Sequence, residues 1–275
     1  MTTGVDLKKK SYEIRKDIVS LVHHAGTGHI GGDLSVTDIL VALYYKHMNI
    51  DPHNTEDPAR DRFVLSKGHS VEALYCVLAD RGFFPREELQ TYSTYGSKYI
   101  GHPNNKINGI EMNTGSLGHG LSVGVGMALA ARMDQKPYRV YVVLGDGEMA
   151  EGSVWEGIMA GGHYKLDQLT AFVDRNRLQI SGTTEAVMGQ ERQEERWAAF
   201  GWHVISIEGN DVDEIDKAVE EAKATKGRPT VIIANTVKGC GVSLMENKAG
   251  WHHRVPTDEE YNEAILELNQ RGILL

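Results

Sequence analysis

The chain has 275 residues, enough for one large α/β domain with a full core or for two small ones. Acidic residues outnumber basic ones, 38 against 29, and the net charge of −9 argues against nucleic acid or an anionic membrane as the main partner. Only Cys76 and Cys240 are present, far apart and without a CxxC, so neither a disulfide framework nor a cysteine zinc site is indicated.

The amino terminus, MTTGVDLKKKSYEIRKD, is basic but has no apolar signal core, and no run approaches membrane-spanning length, so a cytoplasmic enzyme is the expectation. Leu7, Ile14, Ile18, Leu21, Val22 and Ala25 recur at helical spacing and predict an amphipathic first helix. It runs into Gly26-Thr27-Gly28-His29-Ile30-Gly31-Gly32. The literal GxGxxG there is a decoy, because a dinucleotide fingerprint follows a strand and this one follows a helix. The glycines are expected to make a loop that brings His29 to a ligand, with Ser35 capping a helix from Val36 to about Lys46. Arg62 to Leu65 reads as the first strand, followed by Ser66-Lys67-Gly68-His69 and a helix to Asp80. Pro85 to about Tyr92 reads as a short helix. Thr94 to Thr114 has little periodicity and holds Gly101-His102-Pro103; loops this long are functional or disordered in most compact domains. Gly115-Ser116-Leu117-Gly118-His119-Gly120 then opens a glycine-rich helix to about Asp134.

Val140 to Leu144 is apolar without alternation and predicts a buried strand, broken by Gly145-Asp146-Gly147. A helix from about Ala150 to Lys165 leads to a second buried strand, Leu169 to Asp174, and the polar loop Arg175-Asn176-Arg177. Beyond it come a loop (Gly182 to Gly189), a helix (Glu191 to Phe200), a strand (Trp202 to Ile207), a charged helix (Val212 to Thr225) and a strand (Thr230 to Asn235). Lys238 to Pro256, with Trp251-His252-His253, is irregular, and a last helix runs from about Asp258 to Arg271. This alternation predicts an α/β fold: a doubly wound, mainly parallel sheet of about five strands with helices on both faces, in a single domain.

Two parallel strands joined by one crossover helix place Asp146 and Asn176 at neighbouring carboxyl ends, where open α/β sheets bind ligands. A carboxylate, an amide carbonyl and a backbone carbonyl near Leu178 make an all-oxygen set suited to Mg²⁺. The local alternative is that Asp146 caps a helix and Asn176 makes an Asx turn. His29, His69, His102 and His252 each sit in a loop beside a predicted helix. Metal ligation by them is not indicated, since no pair has i, i+4 spacing and cysteine partners are missing. Imidazoles can donate, accept and exchange protons near neutral pH, which suits a site that handles several hydroxyl groups.

GTGHIGGDLSVTDILVALYY, SKGHS, GHP, GSLGHG, LGDGEMAEGSVWEG, DRNRLQISG, VKGCGVS and WHH occur in the order seen in the amino-terminal part of transketolases. The sequence resembles that family over nearly its whole length. The resemblance implies a thiamine diphosphate site in which Asp146, Asn176 and the Leu178 carbonyl hold Mg²⁺, or Ca²⁺ or Mn²⁺ in its place. Gly115 and Leu117 would contact the cofactor through their backbone, and Gly145, Gly147 and Glu148 would lie beside its diphosphate. His69 would meet both cofactor and substrate, and His29, His102 and His252 would line the substrate channel. Glu151 would join a carboxylate relay across a subunit interface. Ile30, His119 and His253 depart from the residues common in the family, Pro, Gln and Gly.

A full transketolase is roughly twice as long, and its second domain supplies a glutamate that activates the aminopyrimidine. The chain therefore resembles the amino-terminal subunit of a split transketolase, needing a separate pyrimidine-domain subunit, in an α₂β₂ assembly. The reaction implied is transfer of a two-carbon ketol unit from a ketose phosphate to an aldose phosphate. Other readings are an enzyme acting on a modified sugar, a deoxyxylulose phosphate synthase-like enzyme and a catalytically silent assembly subunit. The weakest is a nicotinamide dehydrogenase.

Overall fold

The structure is a computed structural model describing residues 5–274, so the first four residues of the basic amino-terminal stretch lie outside it. Strands form where the sequence is apolar at consecutive positions. They are β1 (Arg62–Leu65), β2 (Val140–Gly145), β3 (Leu169–Arg175), β4 (Leu178–Gln179), β5 (Gly182–Thr183), β6 (His203–Glu208) and β7 (Thr230–Asn235). The five longer ones make one parallel sheet in the order β1-β2-β3-β7-β6, and β4 and β5 pair as a separate antiparallel hairpin.

The helices are α1 (Leu7–Ala25), α2 (Ile30–Ala42), α3 (Val71–Asp80), α4 (Gly120–Met133), α5 (Gly152–His163), α6 (Thr184–Val187), α7 (Gln193–Ala199), α8 (Val212–Ala224) and α9 (Asp258–Ile273). They cover both faces of the sheet, which is why its inner strands are apolar without alternation. Tyr141, Val143, Phe172 and Ile232 point into a core shared with α1, α2, α3, α8 and α9. Val142, Leu144, Val173 and Ile233 point the other way, into a core with α4, α5 and α7. Among the described residues no helix is long and apolar enough to cross a membrane.

Three expectations are corrected. Ser35 does not cap a helix: α2 starts at Ile30 and takes in Gly31 and Gly32, so the predicted glycine loop shrinks to residues 26–29. All of α2 is buried, and tertiary contact overrides the low propensity of its glycines; a Cβ on Gly31 would lie 2.6 Å from the Trp251 carbonyl oxygen. The stretch predicted as a loop from Gly182 holds β5 and the single turn α6, which Thr183 caps by accepting from the Ala186 N–H at 3.2 Å. The short helix before Tyr92 is a 3₁₀ helix, Arg86–Thr91.

Close packing also explains Gly161 and Gly162 of α5. A Cβ on Gly162 would sit 1.9 Å from the Phe200 carbonyl oxygen, a backbone atom that cannot swing away. Gly162→Ala should therefore destabilise the protein by about 1–3 kcal/mol, the usual cost of overpacking, although alanine is the better helix former by about 1 kcal/mol. A raised urea midpoint for this variant would contradict that packing.

Candidate active site

Every strand of the inner sheet ends at the same edge, and each delivers a polar residue there. Past β1 comes Lys67, past β2 Asp146, and past β7 Thr236 and Lys238, while Asp174 stands near the end of β3, two residues before Asn176. Lys67 and Asp174 form an ion pair at 2.5 Å, each no more than 1% exposed. The Asp174 carboxylate also accepts from Ser35 Oγ at 2.7 Å and from the Thr236 hydroxyl, and Lys67 donates a second bond to the Gly32 carbonyl at 3.0 Å. An ion pair so deep is tolerated because its remaining donors and acceptors are satisfied. It ties α2, β1, β3 and the end of β7 together. The sequence reading missed it; the signal was a lysine and an aspartate at adjacent carboxyl ends.

Asp146 is buried, and its carboxylate accepts from the Gly147 N–H at 2.8 Å and the Arg177 N–H at 2.5 Å. Burial first, and the charge of Asp174 second, push its pKa up to about 6. Asn176 Oδ1 accepts from the Leu178 N–H at 3.1 Å. Both residues thus carry out the local cap and Asx-turn roles at the carboxyl edge of the sheet. Lys238 Nζ lies 3.5 Å from the Leu178 carbonyl, 2% exposed, and burial together with Lys67 lowers its pKa to about 8.

The neighbouring glycines and Glu148 are engaged with one another. Glu148 accepts from Ser66 Oγ, from the Gly118 N–H at 2.7 Å and from the Gly145 N–H at 3.1 Å, so its carboxylate staples the 115–120 loop to the ends of β1 and β2. The Gly147 N–H goes to Asp146. Glu151 is exposed at the start of α5, against Gly118, where a Cβ would meet its own Cβ at 2.6 Å.

The four histidines singled out in the sequence come together. The ring of His29 lies 5.3 Å from that of His69, 6.2 Å from His102 and 5.7 Å from His252, and His69 lies 5.2 Å from His252. His253 joins them 4.6 Å from His29. His102 packs over Gly115, where a Cβ would meet its ring at 2.6 Å and where φ is +133°. The Leu117 carbonyl is 3.2 Å from His119 Nδ1. Burial lowers the pKa of all four: His29 to about 4, with His253 as the next cause, His252 to about 3, with Lys238 as the next cause, His69 well below its usual value, and His102 likewise downward. Lys238 donates to His252 Nδ1 at 2.9 Å, which leaves the proton of that neutral ring on Nε2. A group of neutral imidazoles therefore lies on the same edge as an oxygen-donor set, with a cation between them.

The family model "Transketolase, thiamine diphosphate binding domain" matches residues 8–267. The chain belongs to the transketolase family. Its parallel sheet with helices on both faces is also the fold of a transketolase from Campylobacter jejuni, with a TM-score of 0.91 at 30% identity, covering 97% of this chain and 43% of that one. The chain thus spans less than half of such longer transketolases. It runs nearly the full length of shorter relatives. An apulose-4-phosphate transketolase subunit of Phocaeicola vulgatus is 51% identical over 265 residues, 96% of this chain and 94% of the relative. A 6-deoxy-6-sulfo-D-fructose transketolase subunit of a Clostridium species is 46% identical over 269 residues, 98% of each. Membership in the transketolase family sets aside the dehydrogenase reading, and the GxGxxG pattern indeed follows a helix, α1, rather than a strand.

Proposed function

We propose that this chain is the diphosphate-binding subunit of a two-component transketolase that moves a two-carbon ketol unit from a ketose to an aldose phosphate. The observation that carries the reading is the convergence of His29, His69, His102 and His252 on the edge that holds Asp146 and Asn176. The donor set fits the absent groups. Asp146, Asn176 and the Leu178 carbonyl offer only hard oxygens, and the buried Asp146 carboxylate has backbone donors but no side-chain cation in contact among the described residues. Mg²⁺, or Ca²⁺ or Mn²⁺, would supply that charge. Lys238 would meet the diphosphate, and Gly115 and Leu117 would hold the cofactor through their backbone. Thiamine diphosphate, when bound, supplies the nucleophile and electron sink for breaking and remaking the carbon–carbon bond.

The chain's own residues orient the sugar and manage its protons. His29, neutral through burial, accepts or returns a hydroxyl proton of the donor, and the His252 Nε2–H polarises its carbonyl. His69 and His102 bracket the substrate, and Glu148 acts by bracing the loop that carries Gly115 and Leu117. Glu151, exposed, faces a neighbouring subunit in an α₂β₂ assembly with a pyrimidine-domain partner, in the cytoplasm. A modified ketose is the favoured donor, because both relatives matched along their length are named for one.

Calorimetric titration of thiamine diphosphate, with the partner subunit present and with or without Mg²⁺, tests the site. Asp146→Ala and Asn176→Ala each remove one oxygen ligand and should abolish most of the Mg²⁺-dependent gain in affinity. An unchanged Mg²⁺ response in either variant would move the metal elsewhere.

A further inference from the structure

Beneath His29 lie two carboxyl groups that the proposed chemistry does not use. Asp33 on α2 and Glu72 on α3 are both 0% exposed. Asp33 Oδ1 accepts from the Ala73 N–H at 3.0 Å, and Glu72 Oε1 accepts from the Tyr92 hydroxyl at 2.6 Å. The other oxygens, Asp33 Oδ2 and Glu72 Oε2, are buried without a hydrogen-bond partner among the described residues, and because Asp33 is bonded to the residue that follows Glu72 the two carboxyl groups are neighbours. Two buried carboxylates side by side repel each other, and a proton between the two orphaned oxygens would satisfy both.

We propose that Asp33 and Glu72 share one proton and that Glu72, held in place by this bond, positions His29 for the substrate. The placement is direct. The His29 main-chain N–H faces the Glu72 carboxylate, and a Cβ on the preceding Gly28 would lie 2.8 Å from Glu72 Oε1. The same helix holds the opposite wall: Tyr75 on α3 donates to the Ile100 and His102 carbonyls at 3.0 and 3.2 Å. Tyr92, which closes on Glu72, opens the long segment that carries His102. Burial pushes both groups up, Glu72 to about 7 and Asp33 well above its ordinary value, and the neighbouring Glu72 charge adds to the rise of Asp33. The groups facing the pair are Lys67 from the end of β1, Tyr75 and Cys76 on α3, Tyr92, and the His29 backbone. Lys67, the one cation among these, is already held by Asp174.

The inference rests on His29 lining the substrate channel, and it has a consequence that does not. In the folded chain Asp33 keeps its proton, whereas in the unfolded chain it loses it above about pH 4. The unfolded state then binds fewer protons, so stability falls as pH rises from that point. Asp33→Asn keeps the donor and cannot titrate.

The test uses the full chain for thermal unfolding from about pH 4 to 8 and, together with the partner subunit, for turnover. The expected result is that the melting temperature of Asp33→Asn gains steadily on the wild type as pH rises. Parallel curves would overturn the shared proton. In turnover, Glu72→Ala should lower kcat/KM about 10²-fold, the scale of a misplaced catalytic group, and Glu72→Gln should restore most of it. Glu72→Ala added to His29→Ala should cost nothing further. Independent losses that multiply, or a silent His29→Ala, would overturn the positioning role, and the unfolding curves would still decide the proton.

Discussion

Residues 1–275 on their own should show no measurable ketol transfer, and addition of the pyrimidine-domain subunit should switch it on. Activation of the cofactor needs a carboxyl group beside its aminopyrimidine, which the family resemblance assigns to the other domain. The carboxylates at this chain's sheet edge are committed elsewhere. Asp174 is taken by Lys67, Ser35 and Thr236, Glu148 by Ser66 and two backbone N–H groups, and Asp146 by the backbone of its own loops. Glu151 is exposed. Because the site would be assembled from two chains, activity should depend steeply on subunit concentration. Deuterium exchange at the cofactor's C2, with this chain alone and with its partner, makes the comparison without needing the right sugar. Fast exchange with this chain alone would place the activating carboxylate within it and end the two-component reading.

His29→Ala and His252→Ala should each lower kcat/KM by about 10²–10⁴-fold, the range of a positioned acid or base, with little change in cofactor affinity. The pH profile separates this role from general packing. Burial holds His29 near 4 and His252 near 3, so both rings are neutral at neutral pH and become charged only as pH falls toward those values. The acid limb of kcat/KM due to them should therefore lie well below 6.5, the ordinary value for histidine. If His253→Ala is the damaging change and His252→Ala is silent, the roles of the adjacent rings are reversed.

The fold was legible because the strands announce themselves. Val140 to Leu144 and Thr230 to Asn235 are apolar at nearly every position, and only burial on two faces makes that pattern stable. The start of α2 was not legible. Local propensity reads Gly31 and Gly32 as loop, and the neighbours that leave no room for a side chain there, the Trp251 carbonyl beside Gly31 and Ser70 beside Gly32, lie far along the chain. The histidines could be picked out by their glycine-bearing loops, yet nothing local says that they meet. Lys67, Asp174 and Lys238 were passed over because a lysine reads as surface until its neighbours in space are known. Asp33 and Glu72 were hidden for the same reason, since a carboxyl in a helix is a solvated face by default.

The Asp174 side chain draws together four pieces of the sheet edge. A frame clamped in this way leaves variation to the two long irregular segments, 94–114 and 238–256, which bring in His102, His252 and His253. A change of sugar specificity made in those segments would then leave the clamped frame untouched, much as a lathe takes a different chuck while its bed stays bolted down.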